Sequence, residues 1–367
     1  MTGAPARYLL CSRKDGIGAR LVNLIWTWRL ARAAGLRTLC FWPPMDPYYG
    51  ETTGAGDLID LLALTTGELG DDLRIIDGRP VDYLNPVTIR PSAESPCDPS
   101  AWVYEPGKVR GFKAAPSSVI DTGIGPLLTP GEDPAAAIEE ARALFASLPL
   151  KPRIEKSLKA VNKIVSLDRM VAVHVREGDI VEVLRDACQG YTPEGLEPGS
   201  VLDRYTEHFF RGCAPHTAYL RLVRPYIKQG YGLLFFSDTP GAAVTYEKRF
   251  QYQLVKAQDL APSGLNDIQR ALFEILLMSR CHAIIGAKSM FSTLASLIGG
   301  SPVVDARKEA SPEEFLRAFK RTVNFGRLAP EARAGVSQVL LRKLEQNGLL
   351  GRWNLDGEAV LRLLAAA

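Results

Sequence analysis

From residue 168 onward, short apolar runs recur at regular intervals: "MVAVHV" (170–175), "GLLFFS" (232–237), "QYQLV" (251–255), "HAIIG" (282–286) and "PVVD" (302–305). Helical patterns separate them, at about 215–229, 240–250, 266–280 and 290–298. The runs have strand length, and the segments between them have the length of helices. That alternation predicts an α/β domain in which a parallel sheet is covered by helices on both faces.

The N-terminus repeats the theme once. "RYLLCS" reads as a buried strand, and "RKDGIGAR" breaks it with two glycines. "ARLVNLIWTWRLARAAG" then puts Leu21, Leu24, Ile25, Trp28 and Ala31 on one helical face and stops at Gly35. "LRTLCFWPP" supplies a second strand, ended by Pro43 and Pro44. Between 45 and 130 the pattern is irregular: a short helix at "DLIDLLALTTG", strands at "DLRIID" and "WVYE", and long loops or an insertion where Pro, Gly and Ser are frequent. Asp133 and Pro134 open a helix, and another follows at about 151–166. A length of 367 residues suits two domains. The expected division is a Rossmann-like domain at 1–150, a second at 151–310, and helices at 311–367 that pack on the core or cross back to the first domain.

Composition narrows the class. The chain is 46% hydrophobic and 23% charged, with a net charge of +3 and no Lys/Arg run longer than two. Charge therefore does not suggest a nucleic-acid partner, while a local basic site for a small anion fits. No stretch approaches the roughly 18–20 apolar residues of a membrane span, and "MTGAPARYLL" has no secretory pattern. Cys11, Cys40, Cys97, Cys188, Cys213 and Cys281 are scattered, without a CxxC pair. The expectation is a soluble, cytoplasmic protein with reduced thiols.

In open parallel sheets, ligands bind outside the carboxyl ends of the strands. The polar residues expected there are Ser12, Arg13, Asp15, Gly16 and Gly18 after the first strand, and Arg176, Glu177 and Asp179 after "MVAVHV". Ser237 and Asp238 follow "GLLFF", and Lys288, Ser289 and Ser292 follow "HAIIG". Arg176 offers a planar, permanently charged fork for two phosphate oxygens. Ser289 stands where a helix cap would, with amides beyond it aimed at any anion. Together they describe a pyrophosphate site, and Asp238 could accept hydrogen bonds from a guanine edge or a ribose hydroxyl. Plainer roles stay open for each: Arg176 pairing with Asp179 or Glu182, Ser289 as a cap only, His174 as a core histidine, and Asp238 as turn chemistry before Thr239 and Pro240.

"HVREGD" resembles the H-x-R-R-x-D motif of the α1,2-/α1,6-/O-fucosyltransferase superfamily. "FFSDTP" is similar to its second motif, an apolar strand ending in Ser/Thr-Asp-Asp. "ALFEILLMSRCHAIIGAKSMFSTLASLIGG" is similar to the third, with its S-x-F-S-x-x-A, and "DGIGARLVNLIWTWRLARAAGLRTLCFWPP" resembles the opening G-x-G-N-R-L loop and helix. The resemblance covers the first 45 residues and most of 168–305. It implies a GT-B fold, two facing Rossmann-like domains, the C-terminal one binding GDP-fucose and the N-terminal one shaping the acceptor site. It implies donor contacts from Gly16, Gly18, Arg20, His174 and Arg176, and from Asp238, Ser289, Phe291 and Ser292. Arg176 would help the GDP leaving group depart. Two departures stand out: Glu177 replaces the second arginine of the motif, and Ala19 replaces the asparagine after G-x-G.

The activity so implied is an inverting, metal-independent transfer of fucose from GDP-fucose to a glycan hydroxyl, with no cofactor. The partners are a nucleotide-sugar donor and a glycan or glycoconjugate acceptor. No Asp-x-Asp metal motif occurs in the chain, so Arg176 and the amides before Ser292 would stabilise the diphosphate instead. Glu177, Asp179 and Glu182 are candidates to deprotonate the acceptor; with Arg176, the first two make the expected catalytic set. Rival readings remain. A nicotinamide-dependent enzyme is disfavoured because Leu21 stands where a third glycine is expected and "FWPP" ends the second strand without an acid. Four histidines without ligand-like spacing, apart from His208 and His216 eight positions apart, disfavour a metallohydrolase. A non-catalytic nucleotide- or sugar-binding protein of the same fold, or a transferase with another donor, fits Ala19 and Glu177. The segment "EVLRDACQGYTPEGLEPGSVLDRY" (182–205) reads as a loop insertion that helps choose the acceptor.

Overall fold

The computed structural model describes residues 8–11, 16–33, 35, 37–41, 61–64, 68–70, 72–76, 88–89, 117–120, 128, 131–239, 241–250, 253–287 and 289–365. The expected strand at "WVYE" lies outside these, as does most of the expected helix at 57–67. The chain forms two compact units, the first from 1–166, 260–280 and 290–301, the second from 167–259, 281–289 and 302–367. The sequence suggested one boundary near 150. The units instead exchange the chain several times, because the helices at 267–278 and 290–299 belong with the first.

In the first unit, β1 (Tyr8–Cys11), β2 (Arg37–Phe41), β3 (Glu68–Leu69), β4 (Leu73–Ile76), β5 (Thr88–Ile89) and β6 (Ser117–Ile120) make a sheet ordered β3-β4-β2-β1-β6-β5. All its pairings are parallel except β3 with β4. The helices are α1 (Ile17–Ala33), α2 (Pro134–Ser147), α3 (Pro152–Val161), α9 (Asp267–Met278) and α10 (Met290–Gly299). Asp133 caps α2 as the sequence predicts, its carboxylate accepting from the amides of Ala135 and Ala136.

Helix α1 differs from its predicted one-sided pattern, since every residue from Gly18 to Ala31 is buried. It packs on β1 and β2 and also on α2, α9 and α10, so no face is left to water. Arg29 is accommodated by ion pairs with Glu132 and Glu140, the latter at 2.9 Å. Gly18 is required by contact: a Cβ there would lie 2.8 Å from the backbone carbonyl of Met290.

The second unit carries β7 (Met170–Val175), β8 (Gly232–Ser237), β9 (Leu254–Lys256), β10 (Ala283–Gly286) and β11 (Val303–Asp305), all parallel, in the order β11-β10-β7-β8-β9. Every residue of the central strand β7 is buried, which explains a run with no polar alternation before His174. Val171, Val173, Leu233, Phe235 and Ile285 share one core with Tyr219, Val223 and Tyr246. Those last three come from α6 (His216–Lys228) and α7 (Val244–Phe250).

A second core in this unit is wholly helical. It joins α4 (Gly178–Gln189), α5 (Val201–Gly212), α11 (Pro312–Thr322), α12 (Pro330–Gln346) and α14 (Gly357–Ala365), with α13 (Leu349–Trp353) against it. Residues 182–205, read from the sequence as a loop insertion, are therefore mostly helix. Their Gly and Pro residues are confined to the connection between α4 and α5, while Ile180, Leu184 and Cys188 recur one turn apart and are buried. The C-terminal segment closes this core with Phe315, Phe319, Val336, Leu340 and Leu364. Asp203, nearly fully buried, is held by Arg342 at 2.6 Å and Lys343 at 2.8 Å. The short helix α8 (Ala257–Leu260) follows β9.

Candidate functional site

The order β11-β10-β7-β8-β9 contains a reversal: β8 and β9 extend the sheet on one side of β7, β10 and β11 on the other. The switch point lies between β7 and β10, where His174 pairs with Gly286 near the strand ends. Ligands of open α/β sheets bind at such a point, beyond the carboxyl ends. Arg176 and Glu177 follow β7 there, and Ser289 follows β10.

The turn from β7 into α4 is held from the neighbouring strand. The Asp238 Oδ1 atom accepts from the amides of Glu177 at 3.1 Å and Gly178 at 3.0 Å. The Gly178 amide also donates to Thr239 Oγ1 at 2.9 Å. Asp238 thus serves as the helix cap that Glu177 itself does not provide. Its carboxylate lies so close over the turn that a Cβ at position 178 would stand 2.5 Å from Oδ2. The glycine of "HVREGD" answers to that contact. The pKa of Asp238 is raised, burial around the carboxylate being the largest cause, against the opposing Glu177 amide and Arg176 charge.

Arg176 is half-buried, and among the described residues no ion pair or hydrogen bond engages its side chain. The pairing with Glu182 considered from the sequence is not formed; the Asp179 side chain lies outside the described residues. His174 is buried, and burial, followed by the charge of Arg176, pushes its pKa down to about 4. At neutral pH it is an uncharged hydrogen-bonding group. Its carbonyl accepts from the Tyr219 hydroxyl at 3.1 Å, which ties α6 to the end of β7.

Glu177 points to a partner that sequence reasoning missed. Its Oε1 lies 2.8 Å from His216 Nε2, and His216 Nδ1 is 3.0 Å from the Tyr246 hydroxyl. Tyr246 is fully buried, and burial holds its phenol protonated. An imidazole carrying its proton on Nε2 satisfies both contacts, donating to Glu177 and accepting from Tyr246. Residues 177, 216 and 246 lie on three elements, so no spacing in the chain could have revealed the row. In the sequence His216 stands out only by its spacing from His208.

The other expected donor contacts belong to the first unit. Gly16 precedes α1 and its carbonyl accepts from the Arg20 amide at 3.2 Å; Arg20 is buried in the first turn. Ser292 is buried in the first turn of α10, with Phe291 beside it half-buried. Gly18 meets Met290 and Phe291, so the starts of the opening motif and of the third motif's helix pack together. Ser12, Arg13, Asp15 and Lys288 lie outside the described residues. Among the described residues no cluster of three or more His, Cys, Asp or Glu could hold a metal ion, and no helix is long and apolar enough to cross a membrane.

No protein-family model matches this sequence, and no curated protein does. Among solved structures the chain is similar to fucosyltransferase NodZ from Bradyrhizobium, with a TM-score of 0.48 and 15% identity over 82% of this chain and 96% of that one. NodZ alpha-1,6-fucosyltransferase co-crystallised with GDP gives a TM-score of 0.48 at 16% identity, over 82% and 95%. POFUT1 in complex with GDP-fucose gives 0.43 at 12% identity, over 82% and 98%.

Proposed function

We propose that this chain is a glycosyltransferase that takes its sugar from a nucleoside diphosphate, GDP-fucose first among donors, and delivers it to a glycan hydroxyl. One observation carries the reading: a guanidinium that no ion pair or hydrogen bond engages among the described residues, Arg176, stands at the switch point of a parallel sheet on a turn braced by Asp238. A diphosphate needs that kind of fixed, bidentate charge as the bond to the sugar breaks. The sequence motifs that end at Arg176, Asp238 and Ser289 support the same assignment.

The chemistry proposed is a single displacement without metal. An acceptor oxygen attacks the anomeric carbon, the bond from that carbon to the β-phosphate oxygen breaks, and the diphosphate leaves with both electrons toward Arg176. The acceptor's proton passes to Glu177, whose Oε1 is occupied by His216, so Oε2 would receive it. Inversion at the anomeric carbon follows from attack on the opposite face. His174 and Ser289 would hold donor oxygens as neutral groups.

The test is thermal stabilisation of wild type and Arg176→Ala by GDP, GDP-fucose, UDP and NAD, followed by an assay for GDP release with glycan acceptors. A ligand at about 100 times its dissociation constant adds on the order of 2.7 kcal/mol. A GDP-selective shift that disappears in Arg176→Ala is expected; a shift indifferent to Arg176 would overturn the assignment. Glu177 in place of an arginine favours a second reading, a nucleotide-sugar-binding protein without turnover. Stabilisation by GDP-fucose with no GDP release from any acceptor would select it.

A further inference from the structure

The second unit contains a concavity of about 360 Å³ that shares only Glu177 with the switch-point residues. It lies between α4, the α5–α6 turn and α11. Its volume is at the small end of the range of roughly 300–1,000 Å³ for small-molecule sites. Val181, Phe209, Ala214 and Ala318 make its apolar walls, a surface suited to the C–H face of a sugar ring.

Its charges are unbalanced. Two carboxylates line it: Glu314 is matched by a guanidinium, and the charge of Glu177 is left against three more. Glu177 is held by His216 at 2.8 Å. Glu314 receives a two-pronged contact from Arg221, at 3.1 and 3.0 Å, and the Ser311 amide at 2.9 Å. Those contacts, Arg221 first, hold its pKa at about 2, so it stays ionised and balanced. Three guanidiniums remain. Arg185 gives only its Nε, to the Thr322 carbonyl at 3.3 Å, which sets it beside the last turn of α11. Arg317 and Arg321 lie one turn apart on that helix, and among the described residues no ion pair or hydrogen bond engages either. Like charges at that spacing weaken a helix, so the arrangement gains from an anion placed between them. Guanidinium forks match the oxygens of a carboxylate or phosphate.

We infer that this pocket binds a sugar carrying one anionic substituent, a carboxylate or a phosphate, with the anion at Arg185, Arg317 and Arg321 and the ring extending toward Glu177. The inference rests on the transferase reading insofar as the bound sugar is the acceptor, its hydroxyl presented to Glu177 Oε2. As a binding site it stands on the pocket alone.

The experiment is ligand-observed NMR titration of the full chain with glucuronate, glucose 6-phosphate, glucose and inorganic phosphate, on wild type and on Arg317→Gln/Arg321→Gln. At least one acidic sugar is expected to bind at least tenfold more tightly than glucose and than phosphate, and to lose at least tenfold in the double variant. Which of the two binds identifies the substituent. Equal binding of glucose and the acidic sugars overturns the inference, as does acidic-sugar binding that ignores the double substitution. Inorganic phosphate binding as tightly as the sugars overturns the sugar part. Should the double variant not fold, the acid-against-neutral contrast on wild type decides. Thermal shift with GDP on the same samples separates the two readings: acidic-sugar binding without a GDP response removes the transferase and keeps the pocket, and the converse removes the pocket alone.

Discussion

Replacing Asp238 separates two roles that the same residue could have. In the structure its Oδ1 accepts from two amides at the start of α4, at 3.1 and 3.0 Å, and so holds the turn that carries Arg176 and Glu177. Losing such a cap costs about 0.5–2 kcal/mol. At about 2–4 °C per kcal/mol for a unit of this size, Asp238→Ala should lower the melting temperature by a few degrees. Asp238→Asn keeps a carbonyl oxygen for the amides and should restore most of that loss. The pH dependence adds a sign. The Asp238 side chain is exposed, and desolvation by the protein packed around it is the largest cause raising its pKa, so ionisation opposes folding to an extent that solvent screening reduces. Its contribution is greatest below the unfolded value of about 3.9 and declines as pH rises through the raised folded value. The asparagine variant should therefore gain on wild type as pH rises from 4 to 7. Thermal denaturation at several pH values, with and without GDP, measures all three effects. If Asp238 acts by bracing the turn, the GDP response survives in Asn and fails in Ala. A GDP response lost equally in both variants would refute the bracing argument and make the carboxylate itself a ligand contact.

Gly178→Ala should destabilise by about 1–3 kcal/mol and abolish the GDP response, because its Cβ would stand 2.5 Å from the Asp238 carboxylate; chemical denaturation and thermal shift check both. Asp203→Ala leaves Lys343 and Arg342 without their buried partner and should cost about 3–5 kcal/mol in urea unfolding. Because the pKa of Asp203 is lowered despite the opposing effect of burial, chiefly by the Lys343 hydrogen bond, its contribution is present above about 3.9 and fades below that as pH falls. Glu274 behaves in the opposite sense: burial pushes its pKa up from 4.5 to about 7, so folding is progressively penalised as pH rises between those values. Glu274→Gln should stabilise the protein by up to about 3 kcal/mol at pH 8 and have little effect at pH 4, measured by melting temperature.

Local rules made much of the fold legible. The run "MVAVHV", five apolar residues and one histidine, is a central strand, short and rich in valine as a strand buried on both faces is. Asp133 before Pro134 begins a helix where a carboxylate cap and a fixed φ coincide. The place of Arg176 was legible too, since it directly follows the last apolar residue of that run.

Other features depended on partners distant in the chain. Helix α1 shows an apolar stripe in the sequence, yet α2, α9 and α10 cover its remaining faces; periodicity states which face is apolar and is silent on what else arrives. The segment after "HVREGD" looked like a loop because its glycines and prolines are conspicuous, while the helices on either side become stable only against α11 and α12. Asp238 reaches the amides of Glu177 and Gly178 across 61 and 60 positions, and Glu177, His216 and Tyr246 align only because β7, α6 and α7 pack together. The sequence by itself determined β1, β2, β4, the strands of the second unit, the start of α2 and the position of Arg176 at a strand end, since each follows from interactions among near neighbours. Strand order, the switch point and the partners of Asp238 and Glu177 were decided by tertiary structure, because a hydrogen bond or ion pair depends on distances in space that spacing along the chain does not encode.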